Sequence, residues 1–113
     1  MSDGVLSEKE LRALPGLNDW RAVVGALETR FRSRDFATGL ELVNRIGAAA
    51  EAADHHPDLE LRYATVRVVL TSHDAHGITM RDVELARTIS RIASDVGAAA
   101  ESSSVQPEGD RDR

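Results

Sequence analysis

The four histidines of the chain lie close together, between positions 55 and 76. This histidine cluster consists of His55, His56, His73 and His76, and the acidic residues interspersed with it are Glu51, Asp54, Asp74 and Asp82. Imidazole changes its charge near neutral pH, so such a cluster is suited to exchanging protons with a small substrate. The same residue types also bind divalent metal ions, or occur as solvated loop residues without a chemical role.

The spacing of the histidines favours acid/base chemistry without a metal ion. Neighbouring residues in extended backbone point to opposite sides, which separates His55 from His56, and the sequence has no His-x-His or His-x-x-x-His pair. At a helix C-terminus, the negative end of the helix dipole and nearby Asp54 or Glu51 favour the protonated form of His55. Protonated His55 can then act as a proton donor. Which histidine donates and which accepts stays open, as do the metal and solvated-loop interpretations.

A long amphipathic helix is predicted directly before the first two histidines. Asp35 is its N-cap, and its apolar residues recur at steps of three and four. These apolar residues are Phe36, Leu40, Val43, Ile46, Ala50 and Ala53. The helix ends before Pro57, because proline pushes the preceding residue out of the helical region. His55 and His56 are therefore predicted at a junction between a helix and a strand.

Two antiparallel strands are predicted between the two histidine-bearing segments. Residues 58–63 alternate polar and apolar side chains, which gives Tyr63 an ordinary strand position. Residues 65–71 are rich in β-branched side chains. Residues 72–78 form a polar loop, in which we assign Gly77 to a tight turn.

A capped helix follows this loop. Thr79 is its predicted N-cap, and the carboxylate of Asp82 three residues later completes the cap whether or not it has a chemical role. Because the strand pair returns on itself, His55 and His56 are expected to meet His73 at one end of the sheet. Loops at the ends of strands are common places for chemistry, so the sequence predicts a three-histidine pocket there.

The whole pattern predicts an α+β fold with a four-stranded antiparallel sheet and helices packed on one face. Ser7 and Glu10 have the spacing of a capping box for a short first helix, and residues 20–31 suit two short strands. The order is helix, strand, strand, helix, strand, strand, helix. We predict one domain over residues 1–98 and a disordered tail over 99–113, because the serines and alternating charges near the end bury little apolar surface.

The spacing of the chemistry-bearing residues resembles the signature of the pterin-4a-carbinolamine dehydratase family. The matching anchors are Glu51, His55, His56, Pro57, Tyr63, His73 and Asp82. The resemblance extends more loosely from Trp20 to Ala86, and it implies the α+β fold described above. This chain departs from the family at Leu59, where a tryptophan is common, and at His76, where paired glycines are usual.

The resemblance implies a reaction and a set of site residues. The reaction is the dehydration of 4a-hydroxytetrahydrobiopterin, the product of aromatic amino-acid hydroxylases, to quinonoid dihydrobiopterin in tetrahydrobiopterin recycling. Catalysis falls to His55, His56 and His73, with His55 and His73 as the acid/base pair and His56 also holding the pterin. The other implied substrate contacts are Glu51, Asp54, Pro57 and Asp82.

The resemblance also bears on cofactors and partners. It implies no metal or other cofactor, and an assembly of two or four copies. A non-catalytic dimerisation or assembly module is the alternative, because family members also serve as dimerisation cofactors of a transcription factor, and a fold does not guarantee an activity.

Composition and charge exclude or disfavour several other functional classes of protein. A net charge of −5 disfavours direct nucleic-acid binding, which depends on basic surfaces. No run approaches the ~18 apolar residues of a membrane span, and the N-terminus lacks the pattern of a signal peptide. The expected location is therefore the cytoplasm. The absence of cysteine excludes disulfides and thiolate chemistry.

Overall fold

The computed structural model describes residues 4–101 of the chain. The first helix, α1 (Glu8–Arg12), begins at the expected capping box, in which Ser7 Oγ accepts from the Glu10 amide at 3.0 Å and the Glu10 carboxylate accepts from the Ser7 amide at 2.8 Å. Two short strands follow, β1 (Arg21–Val23) and β2 (Ala26–Arg32). The predicted first helix and first strand pair are both confirmed.

The two long helices flank a second strand pair. Helix α2 (Phe36–Ala53) begins at Asp35, whose carboxylate accepts from the Thr38 amide at 2.9 Å. Strands β3 (Asp58–Arg62) and β4 (Thr65–Leu70) form a hairpin, and helix α3 (Met80–Val96) completes the predicted order. The α+β class and the order of the elements are confirmed.

The sheet is antiparallel, with its main strands in the order β1-β2-β4-β3. A fifth strand of two residues, β5 (Ala99–Ala100), pairs with β2 and was missed in the sequence. It forms because Gly97, in the left-handed conformation at φ 85°, ends α3 and sends the chain back along β2. The tail predicted over 99–113 therefore begins too early, and residues 102–113 lie outside the described part of the chain.

The helices pack on one face of the sheet around a single apolar core. The alternation of β2 and β4 turns Phe31, Val66 and Val68 towards Leu42 and Ile46 of α2, and all five are almost fully buried. The core therefore fixes where the ends of α2 and α3 meet.

The opposite face of the sheet carries charged side chains, including Arg67, which donates to Glu28 at 2.5 Å and to Glu60 at 3.1 Å. The hydrogen bond to Glu28 raises the pKa of Arg67 above its ordinary value.

Two turn residues differ from the sequence interpretation. Tyr63 is not in a strand: with Ala64 it forms the two-residue turn between β3 and β4, and its φ is 54°. In the loop before α3 the left-handed residue is His76, at φ 62°, rather than Gly77. Gly77 is required for a close approach instead, because a Cβ atom there would lie 2.8 Å from Cγ1 of Val5.

Candidate active site

The C-terminus of α2 directs the two neighbouring histidines. Asp54 adopts the left-handed conformation at φ 52°, and the amide of His55 donates to the carbonyl of Ala50 at 3.1 Å. This is the closure by which helices commonly end, and it reverses the chain direction within one residue. As a result His55 is buried, with 8% of its surface exposed, while His56 is exposed. The two rings point to opposite sides, as expected.

His55 forms a buried pair with Asp82 of α3. Its Nε2 atom lies 2.5 Å from Oδ1 of Asp82, whose side chain is fully buried. The other carboxylate oxygen accepts from Ser72 Oγ at 2.8 Å and from the Thr79 amide at 2.9 Å. A buried carboxylate needs such partners to offset the loss of water. Asp82 therefore caps α3 and contacts His55 at the same time.

The acidic partner of His55 differs from the one expected. Asp54 and Glu51 were the candidates, but the left-handed turn at Asp54 leaves Asp54 exposed and carries His55 inwards to Asp82. Glu51 instead lies 2.7 Å from Nε2 of His56, in an ion pair on the surface. Exposed pairs of this kind contribute little to stability.

Asp82 also links the two histidine-bearing segments. It contacts His55 from the first segment and Ser72 from the second, and His73 follows Ser72 directly. The two segments therefore converge at one end of the sheet, as predicted. His73 itself is exposed, and within residues 4–101 no hydrogen bond joins it to His55 or His56.

An ion pair holds the turn that begins at His73. Residues His73–Ala75 form a single 3₁₀ turn, and Arg81 of α3 donates to Asp74 at 2.8 Å. That hydrogen bond, with the positive charge of Arg81, lowers the pKa of Asp74 below its ordinary value. His76 closes the turn and points to solvent, so it takes no part in the network around Asp82.

A groove of about 510 Å³ lies between α2 and α3 beside the buried pair. It is lined by Ala49, Ala52, Ala53, His55, Arg81, Glu84, Leu85 and Thr88. Small side chains from α2 form one wall, and the charged residues come from the first turns of α3. His55 is therefore mostly buried yet opens onto a surface groove, the position in which an imidazole can reach a ligand.

Comparison with known proteins assigns this arrangement to a family. The profile of the family described as pterin 4 alpha carbinolamine dehydratase matches residues 4–92. The chain belongs to the pterin-4a-carbinolamine dehydratase family. A provisionally named pterin-4-alpha-carbinolamine dehydratase of Mycobacterium leprae (strain TN) is 41% identical over 92 residues, which cover 80% of this chain and 98% of that protein.

Other comparisons give the same family. A provisionally named pterin-4-alpha-carbinolamine dehydratase of Picosynechococcus sp. is 40% identical over 88 residues, covering 77% of this chain and 96% of that protein. The crystal structure of a transcriptional coactivator/pterin dehydratase from Brucella melitensis superposes with a TM-score of 0.70 at 35% identity, covering 79% of this chain and 98% of that one. Membership extends over most of the chain, and it includes every histidine.

One contact of this candidate site was missed in the sequence, the hydrogen bond from Ser72 to Asp82, whereas the contact of Thr79 with Asp82 was predicted as the helix cap. For Ser72 a signal was present. Val66, Val68 and Leu70 of β4 face the core, and Ser72 continues the same alternation as a buried residue. A polar residue in the inward phase of a strand needs a buried hydrogen-bond partner, and that partner is Asp82.

Two further observations concern metal binding and membrane spans in the described part of the chain. In residues 4–101 no group of three or more His, Cys, Asp or Glu side chains is arranged to hold a metal ion. None of the helices described here is both long enough and apolar enough to cross a membrane.

Proposed function

We propose that this dehydratase family member removes water from 4a-hydroxytetrahydrobiopterin by histidine acid/base catalysis, as a lyase of tetrahydrobiopterin recycling in the cytoplasm. The product would be quinonoid dihydrobiopterin, and an aromatic amino-acid hydroxylase would supply the substrate. The observation that carries the proposal is the His55–Asp82 pair, which is buried, hydrogen-bonded and open to a groove. Buried titratable groups in clefts are frequent at catalytic sites.

The reaction needs one proton donor and one proton acceptor. The bond from C4a to the hydroxyl oxygen breaks as that oxygen receives a proton and leaves as water. The proton on N5 departs, and the C4a–N5 bond becomes a double bond. The elimination is redox-neutral, so it needs no electron carrier, and positioned acid/base groups typically accelerate such steps by about 10²–10⁴-fold. His55 and His73 are the proposed pair.

The groove between α2 and α3 is the proposed entrance for the pterin. Its volume of about 510 Å³ falls within the roughly 300–1,000 Å³ of small-molecule sites. The alanines of α2 offer a flat wall of the kind that accepts a planar ring. His56, held by Glu51, and Pro57 lie directly after His55 and remain the proposed contacts at the rim, together with Asp54.

Stopped-flow ultraviolet absorbance would test the activity directly. Enzymatically generated 4a-hydroxytetrahydropterin loses water spontaneously, and we expect the wild-type protein to accelerate this loss well above the uncatalysed rate. The variant His76→Ala is a matched control, because it removes an exposed histidine of the same cluster without touching Asp82. An uncatalysed rate with correctly folded wild-type protein would disprove the enzyme and favour the assembly module.

Assembly into a dimer or tetramer is also proposed. Helix α2 leaves two large apolar side chains one turn apart on its outer face, with Phe36 48% and Leu40 43% exposed. Adjacent exposed apolar side chains are characteristic of surfaces that become buried in a complex. We expect light scattering after size exclusion to give a multiple of the chain mass of 12.3 kDa, and Leu40→Glu to reduce it.

The control for assembly is Arg45→Gln, an exposed change on another side of the same helix. It should leave the mass unchanged. A monomeric wild-type protein would contradict the proposed assembly without bearing on the dehydration.

A further inference from the structure

Most of the buried polar side chains in residues 4–101 belong to one network. Thr29 and Ser33, the two outside it, donate to backbone carbonyls. The members of the network are His55, Ser72, Thr79 and Asp82, and they bond to one another. A closed network of this kind between side chains fixes the orientation of each member.

The direction of each hydrogen bond follows from the number of protons available. A carboxylate only accepts, so Ser72 gives its single hydroxyl proton to Oδ2 of Asp82. The Thr79 hydroxyl, 2.9 Å from Ser72 Oγ, must then donate to Ser72. Its own oxygen accepts from the Arg81 amide at 3.2 Å. The chain of donors thus runs from the first turn of α3 through two hydroxyls to Asp82.

The same argument fixes the tautomer of His55. Oδ1 of Asp82 accepts, so Nε2 of His55 carries the hydrogen and the neutral ring leaves Nδ1 as an acceptor. Within the described chain, Nδ1 has no hydrogen-bond partner. Every buried side-chain nitrogen or oxygen in that part of the chain has a partner, so Nδ1 is not a buried atom. Nδ1 therefore reaches solvent, and His55 lines the groove between α2 and α3.

We propose that Ser72 is a positioning residue, which acts through Asp82 to hold His55 in the Nε2–H tautomer and leaves Nδ1 as the atom that exchanges a proton with the substrate. The inference rests on the proposed dehydration for its chemistry, but not for its geometry. Without the Ser72 hydroxyl, Oδ2 of Asp82 would keep only the Thr79 amide. The carboxylate could then rotate, and the ring would populate both tautomers.

The test combines a spectroscopic readout with kinetics. In ¹⁵N NMR spectra of histidine-labelled wild-type protein with neutral His55, we expect a hydrogen on Nε2 and none on Nδ1. Ser72→Ala should show a mixture of tautomers, with kcat lowered about 10–100-fold, as when hydrogen-bond partners behind metal-bound histidines are removed. KM should stay within about twofold, because the change affects the chemical step rather than binding. Ser72→Thr, which keeps the hydroxyl, should restore both tautomer and kcat.

The outcomes separate this inference from the proposed function. An unchanged tautomer and kcat in a folded Ser72→Ala protein, checked by circular dichroism, would overturn the role of Ser72. A hydrogen on Nδ1 in the wild type would overturn the assignment of the working atom. If the wild type shows the Nε2–H tautomer and Ser72→Ala disturbs it, yet neither accelerates dehydration, the positioning holds and the proposed reaction fails.

Discussion

Replacing His55 with alanine is expected to lower the rate constant for water loss by about 10²–10⁴-fold relative to the wild-type protein. His55 is the histidine that is both buried against an acidic partner and open to the groove. Its loss would remove one member of the proposed acid/base pair and leave the spontaneous reaction. Stopped-flow absorbance of freshly generated 4a-hydroxytetrahydropterin measures this rate against buffer alone.

A second variant separates chemistry from folding. His55→Ala leaves Oδ1 of Asp82 buried without a partner, which destabilises the protein as well as removing the imidazole. The amide of His55→Gln can still donate to Asp82 but cannot exchange protons near neutral pH. We expect His55→Gln to be nearly as inactive as His55→Ala and to unfold closer to the wild type. A His55→Gln protein that retains wild-type turnover would exclude His55 as the acid or base.

The elements that carry the site were predictable because their determinants are local. The N-caps at Asp35 and Thr79, and the apolar stripes that follow them, give α2 and α3 without reference to the rest of the chain. The alternation of β3 and β4 likewise defines the hairpin between them. Local patterns of this kind therefore placed both histidine-bearing segments at the same end of the sheet.

The contact between His55 and Asp82 was less accessible to sequence reasoning. The two residues are 27 positions apart. The direction of His55 depends on the left-handed conformation of Asp54, and an aspartate signals that conformation less strongly than a glycine would. The alternation of β4 continues to a buried serine at 72, and this polar residue on the inward side was the available clue. Strand β5 was missed because two alanines carry no strand pattern.

Removing the carboxylate of Asp82 is expected to have the largest effect on stability. Asp82→Ala leaves His55, Ser72 and the Thr79 amide without their common acceptor in the interior. A buried donor left without its acceptor costs about 1–3 kcal/mol, and because three donors lose their acceptor we expect the free energy of unfolding to fall by at least about 3 kcal/mol. Urea denaturation, with an unchanged slope, measures it as a lower midpoint.

The matched control is Asp95→Ala, which removes the same charge from an exposed position on the same helix. It should change the free energy of unfolding by no more than about 0.5 kcal/mol. Equal effects of the two variants would show that charge, rather than the buried network, explains the loss. Asp82→Asn would leave an amide NH₂ facing groups that are themselves donors, so we expect an intermediate cost of about 1–3 kcal/mol.

The turnover of Asp82→Asn tests whether the carboxylate orients His55. Asp82→Asn keeps the shape of the side chain, so a folded Asp82→Asn protein tests orientation rather than packing. The amide has an acceptor oxygen on one side only, so it cannot accept from Ser72 on one side and from His55 on the other. The tautomer of His55 should therefore become mixed. Loss of turnover in this folded protein would show that the carboxylate that caps α3 also sets the working state of His55.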